Sequence, residues 1–571
     1  MSAAVYARLR VADPARWRAI ARAWRRWATL AGRLADRFTA DLVRLGAAWS
    51  GAAASAAVAR LATLRRGLTV VRLLCWQADQ TASEFAAALD RAKRLLSRAL
   101  AAAHRAGLTI DDEGNVHGAL ATSAVGRGSV RGGQATSAGL TAAGAASAGT
   151  ASAGTASAGT ASAGTASAGT AGAGTAGAGT AGAGTAGAGT AGAGAGAAGA
   201  VAAVVAADLR AAFAIAGRAD DVAADRLAEI EGAIRMPAVP PGAERPACTA
   251  TPAEVRRWWA ALSPAGRQWL LVTEPGWLAP LDGIPAADRD AANRLLLDEL
   301  RADADRGVHG AALRHTLDAL ADRLDDDRGP RAYLLRLDLS EEGRVVLALG
   351  DPDRADNVVT HVPGMTAELA RFDGELTRAE RVADRATELS PAASTSAVLW
   401  LDYDAPDFVD EAASARRAEA GAPRLRQFQD GLRVGSPARQ TVIGHSYGSL
   451  VVGKAATSGF TADNVVFVGS PGVGVDSARD LTGRVWATTS SSDIIQYAAP
   501  APAAVARDLM VAPAFPAIGL PEKDLWFGHN PSDPAFGART FASSPGAGHL
   551  GYWDRGSPSL DKLAAIALGA G

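Results

Sequence analysis

The most constraining feature of this chain is a five-residue turn motif, Gly-His-Ser-Tyr-Gly, at residues 444–448. It follows an apolar run typical of a β-strand, residues 440–443, and precedes a run of small residues typical of a helix. A serine on a sharp strand-to-helix turn has strained backbone angles, and larger side chains two positions away would collide with the strand and helix. Gly444 and Gly448 remove that collision, so the motif predicts an exposed Ser446 hydroxyl at a helix N-terminus.

Short apolar runs bounded by turn residues extend from Arg331 to Thr489. The runs are Tyr333–Asp338, Arg344–Leu349, Asn357–Val362, Ala397–Tyr403, Gln440–Ile443, Asn464–Gly469 and Arg484–Thr489. The first three are close together, as in antiparallel hairpins, whereas helix-length segments separate the later ones, as in parallel βα units. Residues 331–571 are therefore predicted to form an α/β-hydrolase domain with the serine turn after its fifth strand.

A serine nucleophile needs a general base and an acid that orients the base, in the chain order Ser, Asp, His. Two histidines follow the serine turn. His549 is favoured as the base because it lies in a loop of small residues after the last strand-like stretch, whereas His529 comes earlier in a predicted surface loop. Asp493 is favoured as the acid because it closely follows the run Arg484–Thr489. Other aspartates lie one strand too early or come late: Asp476, Asp480, Asp524 and Asp533.

Two backbone N–H groups are expected to stabilise the oxyanion that forms when a serine attacks a carbonyl carbon. One belongs to Tyr447, directly after the serine, and the other to Gly364 or Met365, in the loop after the third strand. His361, at the end of that strand, is interpreted as structural. His445 occupies a position of the turn where residue identity varies freely, so no catalytic role is predicted for it.

Helical periodicity dominates the N-terminal part. Asp13-Pro14 is a helix-start signal, and apolar residues then recur at alternating spacings of three and four. This first seam comprises Trp17, Ile20, Trp24, Trp27, Ala31, Leu34, Phe38, Leu42, Leu45 and Trp49. A second seam runs from Leu61 to Leu96, after the break at Trp49-Ser50-Gly51. Residues 1–120 are therefore predicted to form an antiparallel helical hairpin, whose open apolar surface needs a third helix or a helical protein partner.

Composition changes abruptly after the hairpin. Residues 121–200 contain a pentapeptide repeat, Ser-Ala-Gly-Thr-Ala and then Gly-Ala-Gly-Thr-Ala, without recurring bulky apolar residues, so disorder is predicted. Residues 201–235 have helical periodicity and are predicted to complete the N-terminal bundle. Prolines mark residues 236–250 as a linker. Residues 251–330 are predicted to form a helical connector, whose many charges are interpreted as helix caps and i,i+4 pairs.

The bulk composition argues against several function classes. The 571 residues carry 58 basic and 59 acidic side chains, a balance that gives no electrostatic basis for binding nucleic acid. Cys75 and Cys248 form neither a disulfide framework nor a metal site, and no metal or cofactor is predicted. The arginine-rich N-terminus lacks the apolar core of a signal peptide, and no apolar run predicts a transmembrane helix. A cytoplasmic location is expected, with leaderless export to the cell surface or medium as the alternative.

Three segments of the C-terminal domain carry a family resemblance, residues 442–449, 466–472 and 533–537, together with His549 and the Tyr-Trp pair after it. In these segments the chain resembles the actinobacterial α/β-hydrolases catalogued as a domain of unknown function. The helical hairpin with Trp49-Ser50-Gly51 at its turn resembles the WXG-type hairpins that type VII secretion systems export. The resemblance implies the fold and the hydrolase class, and it supplies no substrate.

Together these observations predict a serine hydrolase that cleaves carboxylic esters through an acyl-enzyme, with lipid and cell-envelope acyl groups among the candidate substrates. Ser446 attacks, His549 transfers the proton and Asp493 orients His549. The alternative is a secretion-associated or surface interaction protein whose hydrolase-like domain is catalytically silent. A transacylase would use the same residues, because only the acceptor differs.

Overall fold

The computed structural model describes residues 3–118, 190–234, 245–305, 307, 310–457, 459–497 and 523–571. Residues 121–189 of the repeat predicted to be disordered lie outside the described residues. Residues 236–244 of the predicted linker also lie outside them. The described residues of 3–117 and 201–571 belong to one compact unit.

The described N-terminal part is helical: α1 Ala3–Val11, α2 Pro14–Ala48, α3 Ala52–Arg105 and α4 Thr190–Ala233, with a short hairpin of β1 Thr109–Ile110 and β2 Val116–His117 after α3. Asp13 caps α2, because its Oδ1 accepts a hydrogen bond from the Ala15 N–H at 2.9 Å, and Pro14 occupies the first turn. Gly51, between α2 and α3, has φ +106°, an angle that favours glycine. The two long helices pack against each other, so the predicted helical hairpin is confirmed.

The buried face of α2 differs from the predicted apolar seam. Its buried residues are small apart from the first: Pro14, Ala21, Ala28, Ala31 and Gly32. An added Cβ on Gly32 would lie 2.7 Å from the Arg72 guanidinium carbon of α3, so the Arg72 side chain packs directly on this glycine. Larger members of the seam remain exposed, Trp24 by 42% and Trp27 by 60%. Close packing through small residues therefore leaves these tryptophans on the outer side.

Helix α4 packs against α3 through apolar and charged contacts. Leu209 is fully buried in one cluster with Leu95, and Arg98 Nη2 lies 2.5 Å from Asp208 Oδ1. On length and composition alone, one described helix, Gly199–Ala233, could cross a membrane, and 28% of its most apolar window is buried in the protein. Part of its apolar surface is thus used for packing within this chain.

Five helices form the connector: α5 Pro252–Ala261, α6 Pro264–Thr273, α7 Pro275–Leu278, α8 Ala286–Asp305 and α9 Ala311–Asp325. Thr251 and Glu254 form a reciprocal capping box at the start of α5. Asp290 lies 2.9 Å from Arg294 Nε one turn later, and it accepts a hydrogen bond from the Leu334 N–H at 2.8 Å. The charges of this segment therefore act as caps and ion pairs, as its sequence pattern indicates.

Eight strands form one sheet in the C-terminal domain: β3 Ala332–Asp338, β4 Arg344–Leu349, β5 Asn357–Val362, β6 Thr395–Leu401, β7 Arg439–His445, β8 Asn464–Val468, β9 Arg484–Thr488 and β12 Arg539–Thr540. A separate hairpin, β10 Asp524–Leu525 and β11 Gly528–His529, lies between β9 and β12 in the sequence. The strand order in the eight-stranded sheet is β3-β4-β6-β5-β7-β8-β9-β12. β4 pairs antiparallel with β3 and β6, and the other neighbours are parallel. The predicted α/β-hydrolase fold is confirmed, although the two-residue β12 is not predicted from the sequence.

Helices pack against both faces of this sheet: α10 Phe372–Leu389, α11 Val409–Ala412, α12 Arg416–Gly435, α13 Gly448–Ala456 and α14 Pro558–Ala567. Successive residues of β7 enter different apolar clusters, as expected for a strand buried on both faces. Val442 belongs to the cluster with Leu425 of α12, whereas Ile443 belongs to the cluster with Val382 of α10 and Leu563 of α14. Packing on both faces therefore fixes the positions of the central strands. The residues that directly follow these strands are fixed with them.

Candidate active site

The loops at one edge of the parallel sheet bring four segments together. Gly364 follows β5, Ser446 follows β7, Gly469 follows β8 and Asp493 follows β9. Parallel strands place their carboxyl ends at the same edge, which is where ligands bind in open α/β sheets. This edge is therefore the candidate active site.

The serine turn is strained and tightly packed. Ser446 has φ +53°, a left-handed conformation that is uncommon for a residue with a side chain. An added Cβ on Gly444 would lie 2.7 Å from the Ser449 Cα, and one on Gly448 would lie 2.3 Å from the Val362 carbonyl oxygen. No side chain fits at either position, which is the reason that the turn motif requires glycine there.

Asp493 and His549 form a close pair across 56 residues of sequence. His549 Nδ1 lies 3.0 Å from Asp493 Oδ1 and 2.9 Å from Oδ2. The carboxylate is fully buried, whereas the His549 side chain is 31% exposed. A carboxylate at Nδ1 favours the tautomer with the proton on that nitrogen and leaves Nε2 as the basic atom.

Two residues that the sequence interpretation did not assign to the site hold this pair in place. The Tyr552 hydroxyl donates a hydrogen bond to Asp493 Oδ2 at 2.6 Å and accepts one from the Ser490 N–H at 2.9 Å. Gly469 has φ +54°, and an added Cβ there would lie 2.7 Å from Asp493 Oδ2. The position of a glycine directly after an apolar run is a signal that could have identified Gly469. Tyr552 gives no local signal.

His445 supports the loop that carries His549. Its Nε2 lies 2.9 Å from the His549 carbonyl oxygen, and the two imidazole rings are 4.8 Å apart between centroids. Burial lowers the pKa of His445 well below its usual value, and the charges of His549, Arg378 and His361 lower it further. A neutral His445 with its proton on Nε2 can therefore donate to that carbonyl. The residue at the variable position of the serine turn thus has a positioning contact.

Ser446 packs closely against the loop after β5. An added Cβ on Gly364 would lie 2.6 Å from the Ser446 Cβ and 3.1 Å from its Oγ. Within the described ranges, Ser446 Oγ makes no hydrogen bond, and the backbone N–H groups of Tyr447 and Met365 donate none. Hydrogen bonds to a catalytic serine are often long in the free enzyme and tighten when substrate binds.

The remaining histidines of the domain have other partners. His361 is fully buried, and its Nε2 lies 3.0 Å from Glu375 Oε2. Burial lowers the pKa of His361, and Glu375 opposes that shift. His529, the other candidate base, pairs with Asp524 at 3.0 Å through Nδ1. The geometry thus joins His549, and not His529, to Asp493.

Comparisons with known proteins agree with this architecture. The sequence model of a family described as alpha/beta hydrolase matches residues 338–503, a segment that contains Ser446 and Asp493 and ends before His549. An uncharacterized protein of Mycobacterium bovis is 31% identical over 192 residues, which are 31% of this chain and 69% of that relative. The chain belongs to the α/β-hydrolase family.

A longer relative of this α/β-hydrolase is an uncharacterized protein of Mycobacterium tuberculosis. The two are 29% identical over 390 residues, which are 60% of this chain. The match spans only 58% of that relative's length. No solved structure matches the chain significantly.

The edge of this α/β-hydrolase combines a hydroxyl, an imidazole and a buried carboxylate. Within the part of the chain that the structure describes, no group of three or more His, Cys, Asp or Glu side chains is arranged to hold a metal ion. The arrangement can support attack by an oxygen nucleophile, because an imidazole oriented by a carboxylate accepts a proton from a nearby hydroxyl.

Proposed function

We propose that this protein is a serine hydrolase that cleaves carboxylic esters through an acyl-enzyme. The observation that carries the proposal is the pairing of His549 Nδ1 with the buried Asp493 carboxylate at the same sheet edge as the strained Ser446 turn. Strain in such a turn persists only when the surrounding structure enforces it, and it is concentrated at functional sites. This combination has no evident structural purpose.

In the proposed reaction, Ser446 Oγ attacks the ester carbonyl carbon while His549 Nε2 accepts the hydroxyl proton. The Asp493 carboxylate stabilises the imidazolium that forms. The N–H groups of Tyr447 and of Gly364 or Met365 then donate hydrogen bonds to the oxyanion. His549 returns the proton to the leaving alcohol, and a water activated by the same imidazole releases the acid and regenerates Ser446.

Exposed apolar side chains favour a substrate with an acyl chain. Three of the four predicted site segments are followed or flanked by one of them: Met365 beside Gly364, Ile494 after Asp493 and Leu550 after His549. Their exposed fractions are 37%, 72% and 60%. Solvent-exposed apolar residues next to polar catalytic groups are typical of sites that bind apolar ligands. A lipid or cell-envelope acyl ester is therefore the proposed substrate class.

Labelling with a fluorophosphonate probe tests the proposal directly. We expect the wild-type protein to label and Ser446→Ala to be silent, while Ser449→Ala, a buried serine three residues away, still labels. A folded wild-type protein that does not label would overturn the proposal. Labelling that survives in Ser446→Ala would assign the nucleophile to another residue. Hydrolysis of p-nitrophenyl esters from acetate to palmitate would then locate the preferred acyl length.

A second candidate function is interaction with a helical protein partner. It is favoured by the exposed apolar residues of α2, among them Trp24 at 42% and Trp27 at 60%. Under this proposal the helical hairpin binds a partner helix, and the C-terminal domain need not catalyse a reaction. A wild-type chain that fails to label with fluorophosphonate and yet appears in culture medium would favour this function over the first.

A further inference from the structure

A large cavity lies away from the candidate active site. Its volume is about 940 Å³, and its walls come from α2, α3, α4 and the amino ends of β5 and β6. Asp356 directly precedes β5, and Thr395 is the first residue of β6. Ser446 follows the carboxyl end of β7, which is parallel to β5. The cavity therefore lies at the opposite edge of the sheet from the serine.

The walls of this cavity carry an excess of positive charge. Ten arginines and seven carboxylates line it. Several carboxylates are already paired: Glu84 with Arg226, Asp90 with Arg18 and Asp327 with Arg22. Asp356 accepts hydrogen bonds from the N–H and the hydroxyl of Ser394, both at 2.8 Å. Few of the acidic groups are thus free to compensate further arginines.

Three arginines of the cavity stand out, Arg91 and Arg94 on α3 and Arg218 on α4. None of them forms an ion pair with any residue in the described ranges, and the buried Nε of Arg91 has no hydrogen-bond partner there. Burial lowers the pKa of Arg91, and the like charges of Arg94 and Arg218 lower it further, although Asp356 opposes them. Arg91 is partly buried, whereas Arg94 and Arg218 are exposed to solvent. An anion bound between them would offset the repulsion of these like charges at the partly buried Arg91.

We propose that this cavity binds an organic phosphate through Arg91, Arg94 and Arg218. Guanidinium groups match phosphate oxygens with paired N–H donors, and they remain charged under all physiological conditions. A cavity of this size exceeds the needs of a single inorganic anion and falls in the range that holds a drug-sized ligand. The shared chemistry is a phosphate group with at least two negative charges, carried either by a soluble metabolite or by a phospholipid head group.

The test is calorimetric titration of the full chain with two probes, inorganic pyrophosphate and monomeric dihexanoylphosphatidic acid, at ionic strength matched with sodium chloride. We expect Arg91→Gln/Arg94→Gln to weaken binding about 10-fold or more, because two charged donors to the phosphate oxygens are removed. Arg33→Gln/Arg37→Gln, which removes two exposed arginines of α2 outside the cavity, should leave the dissociation constant unchanged.

The outcomes separate the sources of the ligand and the ways in which the proposal fails. Tighter binding of phosphatidic acid would assign the site to a lipid head group, and tighter binding of pyrophosphate would assign it to a soluble phosphate. If neither probe binds, the proposal is overturned. It is also overturned if Arg33→Gln/Arg37→Gln weakens binding of the probe as much as Arg91→Gln/Arg94→Gln does. The Tm of the unliganded Arg91→Gln/Arg94→Gln variant should not fall, because like-charge repulsion is removed. A lower Tm would mean that these arginines serve the fold instead.

Discussion

Gly469 lies directly against Asp493, so closely that a methyl group on its Cα would be 2.7 Å from Oδ2 and 3.3 Å from the Nδ1 of His549. We expect Gly469→Ala to push the carboxylate away from the imidazole and to reduce ester hydrolysis at least about 100-fold, which corresponds to about 2.7 kcal/mol of transition-state stabilisation. Initial rates with a p-nitrophenyl ester measure the effect.

Gly548→Ala is the matched control for this substitution. Gly548 has φ +55°, almost the same as the +54° of Gly469, but an added Cβ there meets no atom within 4 Å. Both variants bear the cost of a left-handed alanine, about 1–2 kcal/mol of unfolding free energy, and only one of them disturbs the carboxylate. Equal activity in the two variants would show that contact with Asp493 is unimportant.

Tyr552→Phe tests the other neighbour of Asp493. It removes the 2.6 Å hydrogen bond to Oδ2 and the hydrogen bond that the hydroxyl accepts from the Ser490 N–H at 2.9 Å. We expect the free energy of unfolding to fall by about 1.5–3 kcal/mol, the range for hydrogen bonds to charged groups, and kcat to fall more than KM changes. Urea denaturation and steady-state kinetics measure both. Tyr6→Phe, at a buried tyrosine in α1, is the control and should leave kcat unchanged.

Much of the catalytic edge could be predicted from sequence because its signals are local. The motif around Ser446 is contained in residues 444–448, although only the collision at Gly444 is with a neighbour in the chain, Ser449. The apolar runs locate the seven predicted strands to within two residues. Asp493 could be selected because it follows a strand closely. Such signals depend on neighbours in the chain, which a single sequence displays directly.

Contacts between distant segments could not be predicted in this way. The hydrogen bond between Tyr552 and Asp493 joins residues 59 positions apart, and the contact of His445 with His549 spans 104. The outward orientation of Trp24 also depends on tertiary packing, because small residues of α2 occupy the buried face that periodicity assigns to larger ones. Packing outweighs the apolar pattern where backbones approach closely.

The buried histidines make the stability of the fold depend on pH under mild acid. Burial lowers the pKa of both His361 and His445 below the ordinary 6.5. At these two sites the unfolded chain binds more protons than the folded chain below about pH 6.5, so their contribution to the free energy of unfolding falls as the pH falls from there. Buried carboxylates act in the opposite direction, because burial raises the pKa of Asp288 to about 6 and that of Asp351 to about 7. We therefore expect the change of the urea midpoint from pH 7.5 to pH 5.5 to be less favourable in the wild type than in a variant that lacks a buried imidazole.

His445→Gln should reduce this pH dependence, because the amide side chain cannot titrate. The control is His104→Gln, an exposed position near the end of α3, which should keep the wild-type difference between the two urea midpoints. If the two urea midpoints differ by the same amount in His445→Gln as in the wild type, the assignment of a neutral buried imidazole to His445 is wrong. Measurements should stay above pH 5, because Glu375 also has a lowered pKa and adds its own loss of stability below 4.5.

The last prediction concerns the buried ion pair that joins the helical hairpin to the C-terminal domain. Asp79 of α3 is 1% exposed and pairs with Arg331, just before β3, and with Arg25 Nη2 at 3.0 Å. Burial alone would raise the pKa of Asp79, but the Arg331 and Arg25 charges hold it below its usual value. Asp79→Asn removes one of the two carboxylates that pair with the buried Arg331 guanidinium and leaves Asp290, 3.3 Å from Arg331 Nη2, as the other. We therefore expect the free energy of unfolding to fall by about 3 kcal/mol, the lower end of the cost of breaking a buried pair.

Asp41→Asn provides the comparison, because Asp41 pairs with Arg44 on the surface, where the two side chains are 58% and 76% exposed. An exposed pair contributes about 0–1 kcal/mol, so the urea midpoint of this variant should stay close to that of the wild type. Equal midpoints for Asp79→Asn and Asp41→Asn would mean that the buried pair does not couple the hairpin to the sheet. Since the pair is removed from solvent, 0.5 M sodium chloride should not abolish the difference between the two variants.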